Sequence, residues 1–187
     1  LSSEDIQLLC KNHVNIIHCP RSNASNHGFP KTPEILANGG IVGLGSDGAC
    51  SSSMSLLDEM RVLRYITQAY WGLASFDPVI LPCAELLKMA VSGSAAAIGH
   101  ADELGEVSEG RTADVILMKL DQPHLYPSQK PVNTIVECAA ASDITDSIIN
   151  GRLVMKNREV LTLDEERIMA EAQVHMQRMI RRAGFDA

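Results

Sequence analysis

The chain has 187 residues, 45% hydrophobic and 21% charged, and 16 basic against 23 acidic side chains leave a net charge of −7. Such a composition supports a folded core that buries roughly 70% of the unfolded surface in one or two domains, and its scattered Lys and Arg argue against nucleic acid as a partner. No apolar run reaches the roughly 18 residues of a membrane span, and the polar start Leu1-Ser2-Ser3-Glu4-Asp5 has no signal-peptide core, so we expect no membrane partner and a soluble, cytoplasmic protein.

Ser2 or Ser3 is positioned to cap a first helix running to about Lys11, with Ile6, Leu8 and Leu9 on its apolar face. Val14-Asn15-Ile16-Ile17-His18 then reads as a short β-branched strand, stopped by Pro20, and a loop rich in Ser, Asn and Gly is predicted to about Lys31. Thr32-Pro33-Glu34-Ile35-Leu36-Ala37 is a predicted helix with Pro near its start and Gly39-Gly40 at its end. A second buried strand follows at Ile41-Val42-Gly43-Leu44-Gly45. Buried strands alternating with helices imply an α/β class with a parallel sheet, open or closed into a barrel, although two strands alone complete neither.

The polar turn Ala49-Cys50-Ser51-Ser52-Ser53 leads into a predicted helix from about Ser55 to Gly72, with Leu56, Met60, Leu63 and Thr67 at helical spacing, and another spans about Pro82 to Ile98. The pattern changes near Gly99. Residues 114–118, 134–138 and 144–149 read as strands, and Asn150-Gly151 before Arg152-Leu153-Val154-Met155 is a strong hairpin signal. A β-rich unit is therefore expected over residues 101–162, followed by a helix to about Arg182 with Ile168, Ala172, Met176 and Met179 on one packing stripe.

Two strand ends carry the candidate chemistry. Asp47, in Gly43-Leu44-Gly45-Ser46-Asp47-Gly48, follows a buried strand at the edge where α/β enzymes build active sites; a turn-capping Asp fits the spacing equally well. The glycines do not form a dinucleotide fingerprint, because no anion-binding helix opens directly after them. His18 ends the other strand, placed either to meet a ligand or to serve as a structural hydrogen-bonder. Cys19 has no base in sequence reach to make it a nucleophile. The five cysteines are odd in number and lack a Cys-x-x-Cys pair, so we expect them reduced and mostly buried. The remaining histidines show no metal-ligand spacing.

Read in order, His18-Cys19-Pro20-x-Ser22-Asn23, Val42-Gly43-Leu44-Gly45-Ser46-Asp47-Gly48 and Asp58-Glu59-Met60-Arg61 closely resemble the C-terminal half of amidohydrolase-superfamily aminohydrolases. The nearest are the methylthioadenosine/S-adenosylhomocysteine deaminases and the triazine chlorohydrolases. The segment from Glu103 to Val115, His124-Leu125-Tyr126-Pro127 and Ile149-Asn150-Gly151-Arg152 extend the resemblance over nearly the whole chain.

The resemblance implies the C-terminal part of a metal-dependent (β/α)8 TIM barrel over residues 1–100, part of a small β-sandwich over 101–162, and a C-terminal helix over 163–187. Asp47 would be both metal ligand and catalytic proton relay, and His18, Ser22, Asn23 and Ser51 would line the substrate. The cofactor implied is a divalent metal, zinc foremost, and the substrate a small purine-, pyrimidine- or triazine-like heterocycle that loses ammonia to a metal-activated water. The family's strand-one His-x-His, its strand-five His and Glu and its strand-six His have no counterpart here, and the chain starts at Leu1, so we expect a piece of a longer protein, inactive alone and homo-oligomeric when complete. Two alternatives stay open: chloride or amide hydrolysis at the same site, and a non-catalytic stand-alone α/β domain.

Overall fold

The computed structural model describes residues 1–48 and 53–185. Helix α1 (Ser3–Lys11) begins with a reciprocal cap: Ser2 Oγ accepts from the Asp5 N–H at 3.1 Å, and Asp5 Oδ2 accepts from the Ser2 N–H at 2.8 Å. Its buried Ile6 turns the helix onto the core. Strand β1 (Ile16–His18) follows, then helix α2 (Pro20–Asn26), helix α3 (Thr32–Ala37) and strand β2 (Val42–Leu44). The strands pair in parallel, with Ile16 opposite Val42, Ile17 opposite Gly43 and His18 opposite Leu44.

Helix α2 corrects the loop expected there. Pro20 occupies its first turn, where a missing N–H costs nothing. The polar side chains that suggested a loop bond back onto the helix instead: Ser25 Oγ donates to the Arg21 carbonyl at 3.1 Å and Asn26 Nδ2 to the Ser22 carbonyl at 3.2 Å.

Helix α4 (Leu56–Thr67) passes through a π-turn (Gln68–Gly72) into α5 (Leu73–Ser75), and α6 (Cys83–Lys88) passes through a second π-turn (Met89–Gly93) into α7 (Ser94–Ala97). The two continuous helices predicted are thus each interrupted by a wider turn. The second interruption coincides with close contact on β2. A Cβ on Gly93 would lie 2.6 Å from the Val42 carbonyl oxygen, and one on Gly43 would lie 2.9 Å from Ser94 Cα. At the same contact the Leu44 N–H donates to Ser94 Oγ at 3.1 Å. The core between these layers is built from Ile6, Ile35, Val42, Leu44, Met60, Leu63, Leu86 and Met89.

The second unit contains β3 (Val115–Met118), α8 (Pro131–Cys138), β4 (Ile144–Ile149), β5 (Arg152–Lys156) and β6 (Glu159–Val160). Its strands form one antiparallel sheet in the order β3-β4-β5-β6. Asn150 and Gly151, at φ 49° and 73°, make the expected tight hairpin between Ile149 and Arg152. Asn157 and Arg158, at φ 47° and 69°, repeat that geometry without a glycine. Thr134–Cys138, read as a strand from its β-branched content, belongs to α8. Pro131 starts that helix, Val136 is fully buried, and Arg64 Nε of α4 donates to Glu137 Oε1, so packing overrides propensity. Arg61 of α4 adds donations to the Val136 carbonyl at 3.2 Å and to the Ala139 carbonyl.

The final helix α9 (Glu165–Ala183) is capped by Asp164, which accepts from the Arg167 N–H at 2.9 Å, and ends at Gly184 in the left-handed region. Its expected packing stripe, Ile168, Met176 and Met179 included, is exposed. Among the described residues no helix is long and apolar enough to cross a membrane. The described cysteines are free, but only Cys83 is buried; Cys10 and Cys19 are half-buried and Cys138 is exposed, contrary to the expected burial.

The β2–α7 contact predicts that Gly43→Ala, which places a methyl group against backbone, destabilises the protein by about 1–3 kcal/mol. The measurement is the urea midpoint; an unchanged midpoint contradicts the contact.

Candidate active site

Parallel pairing puts the C-terminal ends of β1 and β2 on the same edge, and with them His18, the start of α2 and Asp47. Asp47 lies three residues beyond β2, exposed and at φ 60°, a left-handed conformation that Asp tolerates better than most side chains. Ser22, 4% exposed, donates from Oγ to Asp47 Oδ2 at 2.6 Å. That bond, the Gly48 backbone and the nearby His27 hold the Asp47 carboxyl below the usual aspartate range, so it is ionised at neutral pH.

His18 differs from Asp47 in exposure and in charge. It is 4% exposed, its Nδ1 stands 3.4 Å from Oγ1 of the buried Thr32, and its Nε2 has no hydrogen-bond partner among the described residues. Burial pushes its pKa down from 6.5 to about 4, so the imidazole is neutral at pH 7. The site edge therefore combines an exposed anion with a buried neutral ring.

Asn23 has its Oδ1 engaged by the Cys19 N–H at 3.3 Å, which ties the turn into α2. Ser51 lies outside the described residues. Cys19 is unsuited to nucleophilic attack: burial raises its thiol pKa, and the Asp47 and Glu59 charges push the same way.

Sequence reasoning gave no role to Glu59, although it stood in the quoted Asp58-Glu59-Met60-Arg61 run. Glu59 is fully buried on α4, and its Oε2 accepts from the Arg21 N–H at 2.8 Å. Beside it, Arg21 Nη1 donates to Ser53 Oγ at 2.8 Å, Ser53 Oγ to Asp58 Oδ2 at 2.7 Å, and Arg61 pairs with Asp58 at 3.1 Å. The available signal was a carboxylate in the first turn of the next long helix, while the strand-end helix it meets was expected to be a loop. Only their meeting in space assigns Glu59 its partner.

A mixed α/β unit that presents a carboxylate at the C-terminal edge of parallel strands belongs to the class of α/β proteins whose sites are assembled from strand-end loops. The amidohydrolase family pattern matches residues 1–154, and the chain belongs to that family. It is 41% identical over 184 residues to a 5-methylthioadenosine/S-adenosylhomocysteine deaminase of Pelotomaculum thermopropionicum, a match covering 97% of this chain and 41% of the relative. A protein of the same name from Acetivibrio thermocellus is 37% identical, with 97% and 42% covered. The chain thus spans about two fifths of the length of the curated relatives it matches. Among solved structures, an adenosine deaminase from Xanthomonas campestris with bound zinc superposes at a TM-score of 0.89 and 25% identity, covering 95% of this chain and 40% of the other. An atrazine chlorohydrolase from Arthrobacter aurescens complexed with zinc gives 0.80 at 28% identity, covering 93% and 38%.

His18 yields a pH prediction. Because its folded pKa lies below the unfolded value, its contribution to stability is complete above about pH 6.5 and is lost as the pH falls through about 4. An NMR titration should place the His18 midpoint near 4; a midpoint near 6.5 contradicts the burial described.

Proposed function

We propose that this chain is the C-terminal part of a metal-dependent hydrolase that deaminates a small heterocyclic substrate. The observation that carries the reading is the ionised, exposed Asp47 at the common edge of two parallel strands, held at 2.6 Å by a buried serine, in a chain matched over 97% of its length by deaminases. On this reading residues 1–100 supply the last two strands of a (β/α)8 barrel with their helices, 101–162 the chain's share of a β-sandwich, and 163–187 the terminal helix. The α/β fold and the single antiparallel sheet are compatible with that division. The whole protein is read as a homo-oligomer, for which the exposed apolar stripe of α9 offers a surface.

A divalent metal, zinc in the solved relatives named above, needs more donors than this chain supplies: among the described residues no group of three His, Cys, Asp or Glu could hold one. Asp47 nevertheless fits one position of such a site, because an ionised and exposed carboxylate is a suitable oxygen ligand. The metal's contribution, when bound, is to bring the pKa of a water from 15.7 to about 7. Asp47 takes the proton of the attacking water and delivers it to the leaving amine as the water oxygen bonds to the ring carbon and the carbon–nitrogen bond breaks, releasing ammonia. His18, neutral and with no partner for Nε2 among the described residues, is the proposed source of one hydrogen bond to the heterocycle from the adjacent strand end. Asn23 and Ser51 complete the proposed substrate-facing set.

The likeness to an atrazine chlorohydrolase favours a second reading, in which the same attack expels chloride. The match to the amidohydrolase family over residues 1–154 argues against a non-catalytic stand-alone domain.

The test uses the full-length protein, since the present chain is expected to be inactive alone. Asp47→Ala should lower kcat/KM for ammonia release from 5-methylthioadenosine or adenosine by about a thousandfold, and His18→Ala by clearly less. Unchanged turnover in Asp47→Ala contradicts the proposal, and chloride release from atrazine in preference to ammonia selects the second reading.

A further inference from the structure

We propose that Ser22 and Glu59 act together as positioning residues for Asp47, with Glu59 fixing the start of α2 and Ser22, two residues into that helix, fixing the carboxylate. The inference rests on the reading of Asp47 as the reacting carboxylate and assigns to Ser22 a role other than the substrate contact expected for it.

Asp47 needs such a device because it is exposed, left-handed and beyond the last paired residue of β2. Among the described residues, Ser22 Oγ of α2 anchors it from another element with a 2.6 Å bond. Ser22 Oγ spends its one hydroxyl donor on Asp47, so it has none to offer a substrate.

Ser22 can hold a carboxylate only as firmly as its own helix is held. Helix α2 has seven residues and no side-chain cap at Cys19, a length that is marginal without tertiary support. Pro20 has no N–H to offer, so Arg21 presents the first available donor, and Glu59 Oε2 accepts it at 2.8 Å. A carboxylate wholly removed from water is retained at considerable cost unless it is hydrogen-bonded, and here it also meets the positive end of a helix. Glu59 in turn sits on α4, whose neighbours Met60 and Leu63 are in the core and whose Arg61 and Arg64 clamp α8. A continuous path therefore runs from the core of the molecule through Glu59, the Arg21 amide and Ser22 to the carboxylate. Groups that orient a ligand in this way are worth about 10- to 100-fold in metal affinity or activity.

The experiment compares full-length Ser22→Ala, Ser22→Thr, Glu59→Gln and Asp47→Ala. Two readouts are taken: zinc dissociation, by competition with a chromophoric chelator on metal-free protein, and kcat and KM for ammonia release. Ser22→Ala should weaken zinc binding and lower kcat, each by about tenfold or more, with KM within about twofold, and Ser22→Thr should restore most of both. Glu59→Gln, which keeps an acceptor but not the charge, should show the same pattern more weakly. If Glu59→Gln does not fold, Ser22→Ala and Ser22→Cys decide the matter. A raised KM with unchanged kcat makes Ser22 a substrate contact and overturns the proposal. So does a lower melting temperature with unchanged zinc affinity and kcat, which is the mark of a structural role. If Asp47→Ala itself retains activity, the failure lies in the underlying assignment of the site.

Discussion

Parallel pairing of two three-residue strands decides which side chains in this chain can meet. Because β1 and β2 run the same way, His18 and Asp47 emerge at one edge although 28 residues of chain and two helices lie between them. An antiparallel arrangement would send them to opposite ends. Strands this short contribute few hydrogen bonds of their own, and their alignment depends on what presses on them. Gly43 and Gly93 allow the backbone of β2 and the turn into α7 to approach within a distance that no side chain could share.

Helix α4 is the second determinant. It buries Met60 and Leu63, reaches α8 through Arg61 and Arg64, and presents Glu59 to the start of α2. Structure and site thus draw on the same helix. The two ionisable groups at the site edge are driven below their ordinary pKa values for opposite reasons. Asp47 is held down by hydrogen bonds that favour its charge, and His18 by burial that disfavours it. One anion and one neutral ring at the same edge form a coherent setting for moving a proton at neutral pH.

Much of this was legible in the sequence wherever local chemistry decides. The Ser2 cap, both parallel strands, the Asn150-Gly151 hairpin and the terminal helix followed from caps, β-branched runs and turn residues. Helix α8 was misread because Thr134-Ile135-Val136 favours a strand until the burial of Val136 and the Arg64–Glu137 pair are known. Helix α2 was misread because Ser and Asn suit loops equally well, and only their return to the helix carbonyls shows otherwise. Asp47 and His18 could be singled out because each ends a strand. Glu59 could not, since its meaning lies in a contact across 38 residues of sequence.

On the function proposed, the Asp47 carboxylate reaches a metal in the full-length protein. The most direct measurement is a crystal structure of the full-length zinc-loaded protein, with the metal located by anomalous scattering. The account predicts an Asp47 oxygen at about 2.0–2.2 Å from zinc, with the Ser22 hydroxyl still bonded to the same carboxylate. A zinc ion coordinated entirely by other residues, with Asp47 turned toward solvent or serving only as a turn cap, would contradict it.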